Sequence, residues 1–141
     1  GVNELVAAAT ELYLNDENVK VEVSKYAEPM VIHADRNQLL RVYTNLLQNA
    51  VQAIPEGVAG HITVSITKEH KSVIVAFADN GSGIDADVID KIFQPYFTTK
   101  TSGTGLGLAM TKKIIEFWKG QIWFETMKGK GTTFFIKMPL V

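Results

Sequence analysis

The chain has 141 residues, no cysteine, and 14 basic against 15 acidic side chains, which gives a net charge of -1 at pH 7. This length suits a single domain spanning residues 1–141, and its core is large enough to need no disulfide or metal. Without cysteine there is neither a disulfide framework nor thiolate chemistry. The balanced charge argues against a protein that coats nucleic acid, because such proteins carry a basic excess.

A membrane span is not expected in this sequence. No apolar run is long enough to cross a bilayer, and the start at Gly1-Val2-Asn3 does not resemble a signal peptide. A leading glycine without methionine suggests a piece of a longer protein. We therefore expect a domain that does not itself span a membrane.

The first half of the chain predicts two helices and one or two strands. Apolar residues recur at helical spacing over 3–14, and a polar turn cluster follows. Valine alternates with polar residues over 19–24, which predicts a half-buried strand, and 29–32 is a candidate second strand. Asp35 is a typical N-cap, and the apolar stripe after it predicts a long helix to about Ile54.

The second half predicts paired strands with helices set between them. In order, the expected elements are a hairpin of strands at 62–66 and 73–78, a short helix at 87–93, a longer helix at 106–118, and strands at 121–127 and 132–138. Hairpins interleaved with helices indicate a two-layer α/β sandwich, in which helices cover one face of a mixed, mostly antiparallel sheet.

Asn45 and Asn49 are four residues apart on the long predicted helix, so they share one face, with Gln52 close by. Such asparagines are often a solvated or internally satisfied polar face. An asparagine carbonyl also suits Mg²⁺, which takes one or two protein ligands and completes its shell with phosphate and water. Both interpretations are open on this pattern alone.

The run Asp79-Asn80-Gly81-Ser82-Gly83-Ile84 directly follows a predicted buried strand. It can be a tight turn in which Asp79 bonds its own backbone. Alternatively, Asp79 accepts a hydrogen bond from an exocyclic amine at the floor of a pocket, and the glycines let a flat base approach the backbone.

A second glycine cluster, Gly103-Thr104-Gly105-Leu106-Gly107-Leu108, opens into a predicted helix. It is not a dinucleotide fingerprint, because no strand precedes it and the spacing is wrong. Backbone N–H groups of such a loop form an anion site with the helix N-terminus. With Thr98, Thr99 and Lys100 beside it, the irregular stretch 94–105 is better interpreted as a phosphate lid than as a connector. The last cluster, 129–132, is typical of a hairpin turn.

In this order, these motifs resemble the catalytic, ATP-binding domain of sensor histidine kinases, within the superfamily shared with gyrase B, MutL and heat-shock chaperone ATPases. The resemblance covers nearly the whole chain, and it implies the Bergerat-type α/β sandwich. The stretch from 95 to 108 is most similar to the nitrogen-regulation branch of these kinases.

The resemblance implies a role for each motif. Residues 45–50 are similar to the N box, with Asn49 as the Mg²⁺ ligand, and 79–83 to the G1 box, with Asp79 as acceptor for the adenine amine. Residues 93–97 are similar to the F box, 103–108 to the G2 box over the phosphates, and 131–132 to the glycine-threonine pair near the base. The implied ATP-binding residues are Asn49, Gln52, Asp79, Gly81, Gly83, Ile84, Phe93, Phe97, Thr98, Thr99, Lys100, Gly103, Thr104, Gly105, Leu106, Gly107, Leu108 and Thr132.

Two positions depart from the family pattern. Gln52 stands where a Lys or Arg that touches phosphate is common, so Lys100 is the candidate for that charge. Asn45 stands where the ATPase relatives carry a glutamate that activates water, and a neutral amide cannot take a proton at pH 7. This disfavours rapid hydrolysis and favours transfer to an outside nucleophile. The candidate catalytic residues are Asn45, Asn49 and Lys100.

The resemblance implies a protein-histidine kinase fragment that binds Mg²⁺ and ATP and transfers the γ-phosphate to a histidine on a separate dimerisation domain, and through it to a response regulator. None of His33, His61 and His70 is followed by an acid, so none is expected to be the acceptor. The alternatives are a GHKL-type ATPase and a non-catalytic nucleotide-binding signalling module. A cytoplasmic location is expected for the domain, whether or not the parent protein is anchored in a membrane.

Overall fold

The computed structural model describes residues 1–11, 19–94 and 107–141. In chain order, its elements are α1 (Val2–Thr10), β1 (Val19–Ser24), α2 (Arg36–Ala53), β2 (Gly60–Glu69), β3 (Ser72–Asp79), α3 (Gly107–Phe117), β4 (Gln121–Met127) and β5 (Gly131–Pro139). A short 3-10 helix, Ile89–Lys91, lies between β3 and α3. Within these ranges no helix is long and apolar enough to cross a membrane.

The five strands form one sheet in the order β1-β2-β3-β5-β4. β1 pairs with β2 in parallel, and all other neighbours are antiparallel. The predicted mixed, mostly antiparallel sheet is therefore confirmed. Because β3 and β5 are antiparallel neighbours, the C-terminal end of β3 at Asp79 lies beside the start of β5, where Ala78 pairs with Thr133.

The helices cover one face of this sheet. Every second side chain of β3 and β5 is buried, and α2 contacts β2, β3 and β5 while α1 and α3 pack on α2. Burying each such apolar side chain contributes about 1.5–3 kcal/mol. Tyr43 of α2 lies in this core against Phe77, with ring centroids 5.8 Å apart, and burial raises the pKa of its hydroxyl. The two-layer α/β sandwich is confirmed.

The boundaries of α2 follow from two local signals. The Oδ1 atom of Asp35 accepts the N–H of Gln38 at 2.9 Å, which satisfies one of the unpaired donors at the helix start. Ile54 takes an extended backbone conformation because it precedes Pro55, and residues before proline avoid the helical region. The N-cap prediction is confirmed, and the predicted end is within one residue.

Two predicted elements differ in the structure. Residues 29–32 form no strand: Ile32 makes a single bridge with Leu140, to which the bond from the Val141 N–H to the Val31 carbonyl belongs, and the Met30 carbonyl accepts the N–H of Val2 at the start of α1. The predicted helix over 87–93 is reduced to the three residues of the 3-10 helix, since its backbone bonds span three residues rather than four.

Candidate functional site

Asp79 is held at the end of β3 by two backbone donors. Its Oδ1 atom accepts the N–H of Gly81 at 2.8 Å and the N–H of Thr132 at 3.2 Å. Hydrogen bonds to an ionised acceptor are among the stronger ones in proteins, so this pair sets the orientation of the carboxylate. The Asx bond of the simpler sequence interpretation is thus present. It is compatible with a second acceptor role, since a carboxylate has about four lone-pair sites.

The glycines of this region serve backbone packing. A Cβ on Gly81 would lie 2.5 Å from the carbonyl oxygen of Ala53, and one on Gly83 would lie 2.6 Å from that of Met127. The N–H of Ser82 donates to the same Ala53 oxygen at 3.1 Å. The segment after β3 is therefore fitted between the end of α2 and the β4–β5 hairpin, a packing role that the sequence interpretation of these glycines had missed.

A pair of threonine hydroxyls lies behind Asp79. Thr132 is buried, and its Oγ1 atom is 2.8 Å from that of Thr126 on β4. Thr126 also accepts the N–H of Ile84 at 2.9 Å. Sequence reasoning singled out Ile84 and Thr132 but missed Thr126. The signal was available in the predicted hairpin, because Thr126 is directly opposite Thr132 in its register.

Asn45 connects α2 to the first turn of α3. Its Nδ2 atom donates to the carbonyl oxygen of Gly107 at 2.8 Å and lies 3.2 Å from the hydroxyl of Thr111. That hydroxyl donates to the same Gly107 oxygen at 2.8 Å. A Cβ on Gly107 would come within 2.9 Å of the Asn45 amide nitrogen, so a larger residue here would displace the Asn45 side chain. Thr111 is a second residue that sequence reasoning missed.

Asn49 lies one turn after Asn45 on α2, half-buried, with its amide nitrogen in the interior. Gln52 is exposed. Across residues 1–11, 19–94 and 107–141, no group of three or more His, Asp or Glu side chains could hold a metal. A divalent cation at this helix would therefore rely on an amide oxygen together with phosphate and water, a donor set that Mg²⁺ accepts.

Phe93 packs onto the helix-covered side of the sheet. Its ring centroid is 6.0 Å from that of Phe124 and 6.4 Å from that of Phe134, and the Nζ atom of Lys112 on α3 lies 5.3 Å from its centre. This contact adds a cation–π attraction between α3 and the segment that precedes residue 95.

The structure thus brings seven of the predicted residues into two groups. Asp79, Gly81, Gly83, Ile84 and Thr132 surround the end of β3, while Asn45 and Gly107 join α2 to α3. The backbone of Ala53 links them, because it contacts Gly81 and lies about 12 Å along α2 from Asn45. Of the other predicted positions, Leu108 lies on α3 and packs against the core. Eight positions lie outside the described residues: Phe97, Thr98, Thr99, Lys100, Gly103, Thr104, Gly105 and Leu106.

Known proteins are similar to this chain in sequence and in fold. The family model described as histidine kinase-, DNA gyrase B- and HSP90-like ATPase matches residues 34–141. Sporulation kinase A of Bacillus subtilis is 39% identical over 134 residues, which cover 95% of this chain and 22% of that protein. Sensor histidine kinase ZraS of Escherichia coli is 39% identical over 142 residues, covering 99% of this chain and 30% of that protein.

Among solved structures, the nucleotide-free catalytic domain of histidine kinase ThkA is 34% identical and superposes with a TM-score of 0.86, covering 98% of this chain and 91% of that one. The chain spans less than a third of the length of the two curated relatives, and nearly all of this catalytic domain. It therefore belongs to the histidine kinase-, gyrase B- and HSP90-like ATPase family, as the ATP-binding catalytic domain of a sensor histidine kinase.

Proposed function

We propose that this domain binds ATP with Mg²⁺ and transfers the γ-phosphate to a histidine on a separate dimerisation domain, from which it passes to a response regulator. The supporting observation is the state of Asn45. Its amide donates to the Gly107 carbonyl, at the position where the ATPase relatives carry a water-activating glutamate. A group that donates here cannot take a proton from water, so the reaction depends on a nucleophile from outside.

Phosphoryl transfer of this kind proceeds mainly through positioning and charge stabilisation. In the proposal, Asp79 accepts the adenine amine, and Thr132 lies beside the base. The amide oxygen of Asn49 is the protein ligand of Mg²⁺, which when bound neutralises part of the phosphate charge. The N-terminus of α3 at Gly107 directs its partial positive charge towards the phosphates.

Positive charge near the γ-phosphate is assigned to Lys100 in this proposal, with Thr98, Thr99 and the 103–106 backbone closing over the phosphates. These positions lie outside the described residues, so their roles stay predictions from the sequence. Gln52 is neutral and exposed, where a Lys or Arg is common in the family, so the positive charge for the phosphates has to come from another residue.

Asn49 provides the test of the metal assignment. We expect Asn49→Ala to lower Mg²⁺-dependent transfer to an added phosphoacceptor domain by about 100-fold, because a lost metal ligand removes several kcal/mol of charge stabilisation. Labelled phosphate on the acceptor measures this. The control is Gln48→Ala, an exposed change on the same helix, which leaves transfer intact. Undiminished transfer by the Asn49 variant would show that another residue holds the metal.

A further inference from the structure

Thr126 and Thr132 face each other across the β4–β5 hairpin. They are directly paired in the register, and directly opposite side chains of antiparallel strands lie on the same face of a sheet. Their hydroxyl oxygens are 2.8 Å apart, a favourable distance for an O–H···O bond. Thr132, the residue expected near the base, therefore has the Thr126 hydroxyl as its direct cross-strand neighbour.

Either hydroxyl could donate in this bond, and the contacts around Thr126 favour one direction. The Thr126 oxygen already accepts the N–H of Ile84 at 2.9 Å, and its single proton has two acceptors within reach, the Thr132 oxygen at 2.8 Å and the Gly131 carbonyl at 3.4 Å. If Thr132 donated, the Thr126 proton would be left with only the Gly131 carbonyl, at a distance that makes a weak bond. With the Thr126 proton directed at Thr132, the proton of Thr132 itself points elsewhere.

The hydroxyl of Thr132 is consequently a hydrogen-bond donor. It lies next to an acceptor, since the backbone N–H of Thr132 is bonded to the Asp79 carboxylate at 3.2 Å. A donor next to a carboxylate matches the edge of adenine, which presents a ring nitrogen acceptor and an amine. The same edge of guanine presents a carbonyl oxygen and a ring N–H, so both partners would be mismatched. Buried polar groups left unpaired are what give such sites their discrimination.

We propose that Thr126 is a positioning residue that sets adenine specificity by fixing the proton of Thr132. This inference rests on the proposed function, in which Asp79 and Thr132 contact the base. Removing the Thr126 hydroxyl frees the Thr132 hydroxyl to rotate and present either its proton or a lone pair. The pocket should then distinguish adenine from guanine less well.

The test compares the dissociation constants of non-hydrolysable ATP and GTP analogues, measured by calorimetry with Mg²⁺ on the 141-residue protein. Thr126→Val removes the hydroxyl at nearly constant shape, and we expect it to reduce the preference for ATP over GTP about tenfold, the value of one hydrogen bond. Thr126→Ser keeps the hydroxyl and should keep the preference. Thr133→Val, the same change on the opposite face of the sheet, is the matched control.

The ratio of the two dissociation constants separates an effect on specificity from an effect on stability. A loss of folded protein or a shift at Ile84 weakens the binding of both nucleotides alike. Thr126→Ala replaces the valine variant if that one does not fold. An unchanged ratio in the hydroxyl-free variant, or an equal loss in Thr126→Ser, would overturn the inference. A wild-type protein that binds neither analogue would overturn the proposed function as well.

Discussion

Asp79 has its position and orientation set by backbone groups from two separate parts of the chain. One donor belongs to the turn that follows β3, and the other belongs to the start of β5. The carboxylate is therefore oriented before any ligand arrives, which lowers the entropic cost of binding. Both of these backbone bonds are made to the same oxygen, Oδ1.

Replacing Asp79 by Asn tests this residue directly. The amide places N–H donors where an acceptor for the adenine amine is needed, and it removes the negative charge. We expect the dissociation constant for an ATP analogue to rise by at least about 100-fold, equivalent to about 2.8 kcal/mol. Asp87→Asn, an exposed change in the same region, should bind normally in the same calorimetric titration. If the Asp79 variant binds the analogue as tightly as the wild type, Asp79 does not contact the adenine amine.

The residue types in these motifs were readable from the sequence, but their partners were not. Asp79 was identified because it follows a predicted strand, and Asn49 because it shares one face of a predicted helix with Asn45. Thr126 was missed because its role depends on the cross-strand register that sets it against Thr132. The ligand role of Gly81 and Gly83 stays a prediction, and the structure adds a packing role that only the folded chain reveals.

At the scale of elements, one amide makes the hydrogen bond that joins α2 to the start of α3. Asn45 donates to the Gly107 carbonyl, and Thr111 donates to the same oxygen one turn into α3. The absent Cβ of Gly107 permits this approach. The start of α3 is thereby fixed relative to the helix that carries Asn49.

A change from Asn45 to Asp tests that connection at nearly constant volume. The ionised carboxylate cannot donate and faces the Gly107 carbonyl oxygen, so we expect the free energy of unfolding to fall by about 1–3 kcal/mol. Urea denaturation measures this value. Gln48→Glu makes the same amide-to-acid change at an exposed position of α2 and should alter stability by less than about 0.5 kcal/mol. If both variants are equally stable, the amide does not hold α3 in place.

The order of elements could be predicted because hydrophobic periodicity is local, and β4 at 121–127 has the predicted bounds. The parallel pairing of β1 with β2 was not assigned, because it follows from the crossover through α2 rather than from either strand alone. The segment at 29–32 was misread as a strand for the same kind of reason. Its backbone partners come from the two ends of the chain.

At the scale of the whole molecule, the apolar core and the candidate binding groups lie in different parts of the sandwich. The helix-covered face of the sheet supplies the apolar core, while the polar groups lie at the end of β3 and between α2 and α3. A single rigid sheet thus fixes Asp79 and Thr132 together, and α2 connects that end to Asn45 and Asn49. The arrangement contains the binding chemistry for a nucleotide, and we propose that the nucleophile comes from another domain.

The most direct test of that claim follows radiolabelled γ-phosphate from ATP when this protein is mixed with a matching histidine-containing dimerisation domain. We expect label to accumulate on the acceptor histidine in an acid-labile form, and the protein alone to release little inorganic phosphate. Rapid phosphate release by the protein alone, without labelling of the acceptor, would contradict it and identify a hydrolase. Binding of ATP with neither outcome would identify a non-catalytic signalling module.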